Sequence, residues 1–142
     1  MPKEKIFFHS EKIKFSLLRK NKIRNWLLKT IQKEGSDCEK IIFIFCSDTF
    51  LLSLNKKYLQ HNTFTDILTF DYSEKKKKIN GEIFISIDRV RDNAKRFNVG
   101  FSNELHRVMI HGILHLLGYK DKSKIQKSTM RKKENSVLLL LS

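Results

Sequence analysis

Residues 111–121 read His-Gly-Ile-Leu-His-Leu-Leu-Gly-Tyr-Lys-Asp and place three metal-ligand types at offsets 0, 4 and 10. On an α-helix, residues four apart project from the same side, so the imidazoles of His111 and His115 can reach one ion. Gly118 then ends the helix. A glycine just past the last turn accepts the left-handed conformation that reverses the chain, which swings Asp121 back towards the histidines as an oxygen ligand. Two imidazoles and one carboxylate, with a fourth position left for water, is a known form of catalytic zinc site. The segment therefore requires a helix, a sharp stop and a loop that folds back.

A His-x-x-x-His pair alone also occurs on helices that bind nothing. Its setting here argues for more. Counting from Leu105, the residues Val108, Met109, Gly112, Ile113 and Leu116 recur at the spacing of a core-facing helical stripe. The two histidines fall on the flank of that stripe, at the border between core and cleft, where a ligand is held rigidly and still meets solvent.

Histidine, histidine, glycine and a third ligand at offsets 0, 4, 7 and 10 also occur in metzincin proteases, whose general base is a glutamate directly after the first histidine. That position is Gly112 here. Peptide hydrolysis loses its usual base, so a metallopeptidase is the weaker reading.

Three further stretches extend the pattern: Leu54-Asn55-Lys56-Lys57-Tyr58, then Thr65-Asp66-Ile67-Leu68-Thr69-Phe70, then Gly81-Glu82-Ile83-Phe84-Ile85-Ser86. Together with the histidine motif, and with Met130 and Glu134 downstream, they resemble in order the YbeY endoribonucleases, also called rRNA maturation factors. The resemblance implies a small α+β domain spanning residues 1–142: a mixed four-stranded sheet, about five packed helices and a zincin-like metal helix. It implies a single-strand-specific, metal-dependent endoribonuclease acting in rRNA maturation, at the 16S 3′ end, and in ribosome quality control. Its partners would be rRNA and ribosomal particles, with other processing nucleases or ribosomal proteins beside them. Two departures stand out. Members usually carry Asp-His where this chain has Lys120-Asp121, so the third ligand becomes a carboxylate, which weakens Lewis acidity and raises the pKa of bound water. An arginine common after the tyrosine of the first element is here Leu59.

On this reading His111, His115 and Asp121 hold one Zn2+ or another divalent transition metal, and Lys120 neutralises charge as the phosphodiester is cut. Asp66 either takes part in the chemistry or holds the cleft through backbone hydrogen bonds. Lys56, Lys57, His61, Lys120 and Lys122 are the candidate RNA contacts, although His61 also suits a plain turn. His106, five residues before His111, points about 140° away and is read as exposed or structural. A non-catalytic RNA-binding assembly factor with a structural metal is the alternative from another class.

The charge of +14, from 29 basic and 15 acidic residues, draws the chain to phosphate backbones. Of the basic residues 22 are lysine, as a bias to AT-rich codons would also produce, so charge by itself assigns nothing. Cys38 and Cys46 have no CxxC spacing and read as reduced thiols. No secretory hydrophobic core follows Met1, and the apolar run at residues 137–141 is far below the roughly 20 residues needed to cross a bilayer, so a cytoplasmic protein without membrane contact is expected.

Strands are predicted at residues 6–8, 41–46, 67–72 and 82–87, the last two joined by a solvated loop at 73–81. Helices are predicted at 19–33, from Asp48 to 58, from Asp88 to 97, from Ser102 through the histidine motif, and from Ser123 onward, the named residues being the caps.

Overall fold

The computed structural model describes residues 5–75 and 77–141. Strand β1 (Ile6–Glu11) leads through helix α1 (Lys20–Lys33) to β2 (Asp37–Cys46), and α2 (Asp48–Leu59) leads to β3 (Ile67–Asp71) and β4 (Lys78–Ser86). Three helices follow: α3 (Ile87–Arg96), α4 (Phe101–Leu116) and α5 (Lys124–Leu139). The sheet order is β1-β2-β4-β3, with β1 and β4 parallel to β2 and β3 antiparallel to β4 at the edge. This is the mixed α+β arrangement that the sequence implies.

Side chains alternate across the strands as their two-residue period demands. Ile41, Phe43 and Phe45 of β2 and Ile79, Ile83 and Ile85 of β4 enter the main core with α1, α3, α4 and α5. On the opposite face Cys46 and Leu68, flanked by Phe70 and Phe84, meet Leu51 of α2. Both cysteine thiols are buried and unoxidised. Burial holds Cys46 at about 12 and Cys38 at about 11, so neither is a thiolate nucleophile.

Several boundaries differ from the sequence expectation. Strand β1 runs on to Glu11 and β2 starts back at Asp37, because each borrows ladder hydrogen bonds from its neighbour where its own side chains are polar. The expected loop at 73–81 is shorter, since Lys78 to Gly81 already pair with β2. Three caps also move. Ser47, Ser86 and Gly100 occupy the positions assigned to Asp48, Asp88 and Ser102, while Ser123 caps α5 as expected in a capping box with Gln126. Asp48 and Asp88 brace the two helix starts instead: Asp88 accepts the Asp48 backbone N–H at 2.8 Å, and Asp48 takes Arg89 at 2.8 Å and the Ser86 hydroxyl at 3.1 Å.

Gly81 marks the closest approach in the sheet. A Cβ there would lie 2.5 Å from the Phe70 carbonyl oxygen and 3.0 Å from a Leu116 methyl of α4. Gly81→Ala is therefore expected to lower the unfolding free energy by about 3 kcal/mol through overpacking, read from the denaturant midpoint. An unchanged midpoint would show that β3 and α4 yield without cost.

Candidate metal centre and cleft

The core stripe of α4 lies where its spacing puts it. Leu105, Val108, Met109, Gly112, Ile113 and Leu116 are all buried, and His111 and His115 sit half-exposed beside them. Gly112 faces the sheet, where a Cβ would come within 2.9 Å of Ile83 Cγ2 and 3.1 Å of Ile67 Cδ1. No general base fits at that position. A peptidase-type glutamate is excluded by packing as well as by identity.

After α4 the chain reverses at Gly118, whose φ of 103° is a conformation that favours glycine. The reversal brings Asp121 back. Its Oδ2 lies 3.2 Å from His111 Nε2 and 3.4 Å from His115 Nε2, and the two imidazole nitrogens are 3.0 Å apart. A divalent ion bound tetrahedrally at about 2.0–2.1 Å separates its ligand atoms by roughly 3.3–3.4 Å, so three donors already converge at close to that spacing.

The donor chemistry fits as well as the distances. His111 Nδ1 faces Glu134 Oε2 of α5 at 2.6 Å, which fixes the proton on Nδ1 and leaves an Nε2 lone pair aimed at the cluster. Lone pairs and a carboxylate in mutual contact repel unless a proton or a metal cation lies among them, so the cluster suits either. Glu134 is buried and is itself held by Arg107 at 3.1 Å and Arg131 at 3.6 Å.

These contacts set the electrostatics. Burial alone would lower the His111 pKa, but the Glu134 hydrogen bond and the charges of Glu134, Asp121 and Asp66 outweigh it and raise the value. Partial burial and the neighbouring His111 charge lower the His115 value. For Glu134 burial works upward, yet His111, Arg107 and Arg131 bring its carboxyl below the ordinary range.

A cavity of about 400 Å3 opens beside the histidine pair, lined by Asp66, Glu104, Arg107, His111, Asp121 and Arg131 among others. Asp66 is half-buried on its wall, 3.5 Å from the Asn93 amide, with its carbonyl accepting from Ser86 N–H. Burial raises its pKa against the pull of His111 and Arg89. Of the predicted site residues, the fold thus unites His111, His115 and Asp121 and sets Asp66 in the same cleft. The others stand apart. Lys56 and Lys57 end α2, His61 is exposed in the following turn, and Lys120 and Lys122 are exposed on the loop around Asp121; none of them lines the cavity. The cations that do line it are Arg107, Lys127 and Arg131, which the sequence reading did not single out. His106 is half-buried with its ring edge-on to Trp26 at 6.1 Å, a structural role.

Comparison with known proteins decides the family. The family profile described as Endoribonuclease YbeY matches residues 5–142. The chain belongs to that family. Endoribonuclease YbeY of Amoebophilus asiaticus is 49% identical over 139 residues, covering 98% of this chain and 95% of that protein. The Cytophaga hutchinsonii protein of the same name is 49% identical over 140 residues, with 99% and 98% covered. Among solved structures, the solution structure of TM1509 from Thermotoga maritima superimposes with a TM-score of 0.68 at 28% identity, covering 96% of this chain and 88% of that one.

If His111, His115 and Asp121 hold a metal, the contact of Glu134 with His111 ties its binding to pH. Imidazole must be neutral to coordinate, and His111 stays protonated above its ordinary 6.5, so metal affinity should begin to fall at a pH higher than 6.5 as acid is added. Glu134→Gln should move that onset downward and weaken affinity by about 10–100-fold. Competition titrations from pH 5 to 8 would read both effects. Equal onsets in the two proteins would mean that Glu134 does not act on His111.

Proposed function

We propose that this chain cuts single-stranded rRNA precursor by metal-assisted hydrolysis, with one Zn2+ held by His111, His115 and Asp121. The observation that carries the reading is the convergence of three donor atoms within 4.8 Å of one another, backed by a buried carboxylate on His111. Bound zinc supplies a water of lowered pKa and polarises a phosphoryl oxygen. Arg107, Lys127 and Arg131 draw the RNA backbone into the cleft, and Lys120, exposed beside Asp121, meets charge that develops on the phosphate. Asp66 on the opposite wall keeps its proton to higher pH than an exposed aspartate and is assigned to proton transfer at the leaving oxygen.

Lys56, Lys57, His61 and Lys122 extend the basic surface along which the strand runs. The natural target in this reading is rRNA within ribosomal particles, met in the cytoplasm by residues 1–142 acting as one domain. Among the described residues no helix is long and apolar enough to cross a membrane. Family membership favours the nuclease over both a structural-metal assembly factor and a metallopeptidase.

Purified protein should cut single-stranded RNA or precursor rRNA on ribosomal particles, leave peptides intact and stop on chelation. His111→Ala should remove the cutting while RNA binding persists, falling with salt at a slope of about 0.7 per phosphate on a log–log plot. Equal processing by wild type and a folded His111→Ala protein would sink the assignment.

The third ligand has its own test. Asp121→Ala should cost most of the metal affinity, and Asp121→His should keep the metal while lowering the pKa of bound water. Lys120→Ala should leave affinity unchanged. Metal titration showing no difference between wild type and Asp121→Ala would mean that another group completes the site.

A further inference from the structure

Besides His111 and Arg107, helix α4 carries Glu104 into the cleft, two turns before His111. Glu104 is only 6% exposed, lines the cavity, and its carboxyl makes no hydrogen bond or ion pair among the described residues. Its two carboxyl oxygens reach the water of the cavity, where they stand as acceptors for an incoming ligand. Burial and the neighbouring Asp66 charge raise its pKa, while Arg107 and Arg131 favour the ionised form.

Beside it, Phe97 at the end of α3 is 55% exposed, lines the same cavity and has no ring partner among the described residues. One turn earlier, Asn93 adds an amide, and Ile67 and Val108 give an apolar floor. An exposed aromatic ring and polar side chains lining one cavity are how single-stranded RNA bases are held, stacked on the ring and read along an edge.

Size and place agree with one nucleotide. The cavity of about 400 Å3 lies near the lower end of small-ligand sites and admits a nucleoside but no duplex. Seven residues of helix, roughly 10 Å, separate Glu104 from His111, within reach of the nucleotide flanking a phosphate at the metal ligands. Guanine alone offers two adjacent donors on its Watson–Crick edge, N1–H and the N2 amino group, and a carboxylate accepts from both.

Resting on the reading that this cleft takes single-stranded RNA, we propose that it contains a guanine-preferring base subsite in which Phe97 stacks on the base and Glu104 accepts from its edge. Cutting would then favour sites flanked by guanine.

The test uses the full chain and the four nucleoside 5′-monophosphates, which hold no internucleotide bond to cut, in an NMR titration. Guanosine monophosphate should bind roughly tenfold more tightly than uridine monophosphate and move the Phe97 ring resonances. Glu104→Gln should bring all four nucleotides within about twofold of one another, and Phe97→Ala should weaken all of them by roughly fivefold. Equal binding of the four by wild type, preference retained in Glu104→Gln, or Phe97 resonances that stay in place would overturn the subsite. If Glu104→Gln does not fold, the wild-type preference together with the exposed Phe97→Ala variant still decides. Protein that prefers guanosine monophosphate but never cuts RNA would refute the nuclease reading and leave the subsite standing. Protein that cuts RNA without that preference would refute the subsite alone.

Discussion

The closeness of α4 to the sheet at Gly112 governs the arrangement of the site. A Cβ at this position would lie 2.9 Å from Ile83 Cγ2, so the helix settles at a depth that no larger residue permits without displacing the core. With Gly112 pressed inward, the helical period leaves no choice about its neighbours. Met109, Ile113 and Leu116 follow it into the core, and His111 and His115 are turned to the edge where α5 and the returning loop meet them. The glycine thus sets the depth and rotation of the histidine pair and, by filling the place of a peptidase base with core contact, narrows the chemistry as well.

A second constraint acts from the other side. Glu134 is buried, and an unpaired charge there would be strongly destabilising, so its three contacts stand or fall together: His111 at 2.6 Å, Arg107 at 3.1 Å and Arg131 at 3.6 Å. Docking of α5 and orientation of a metal ligand are consequently one interaction. The same carboxylate selects the His111 tautomer that presents Nε2 to the cluster, while the two arginines that hold it also line the cleft.

The convergence of His111, His115 and Asp121 was largely legible in the chain because its determinants are local. Histidines four apart, a glycine stop and an aspartate within reach of a turn are fixed by helix geometry and a single positive φ at Gly118. The cleft was less legible. Glu104, Phe97, Arg107 and Arg131 gain meaning only when α3, α4 and α5 are brought side by side, and a lone charged residue on a helix reads as solvated until then. Lys127, Met130, Arg131 and Glu134 do recur at one helical face of α5, a signal that, joined to the match at Met130 and Glu134, could have pointed to a functional face. Cap positions shifted by one or two residues for a similar reason: Asp48 and Asp88 suit a cap, but the bracing of α2 against α3 engages both elsewhere.

The position of Asp121 depends on more than Gly118. Tyr119, two residues before it, donates its hydroxyl to Glu34 at 2.5 Å, and Lys133 of α5 meets the other Glu34 oxygen at 2.7 Å. The end of α1, the returning loop and α5 are thereby clasped at one point, which limits where the 38%-exposed Asp121 side chain can go. A carboxylate reaches less far than an imidazole, so a chain that carries aspartate as third ligand needs its loop held close. Charge follows the same logic. An anionic ligand would remove one unit of positive charge from a metal centre, and under the proposed function Arg107, Lys127 and Arg131 along the cleft would restore attraction for RNA without adding a competitor for the metal. Under the proposed function, binding of the polyanion and activation of water would therefore fall to different residues, the first to the helix surfaces around the cleft and the second to the donors that α4, the loop and α5 hold together.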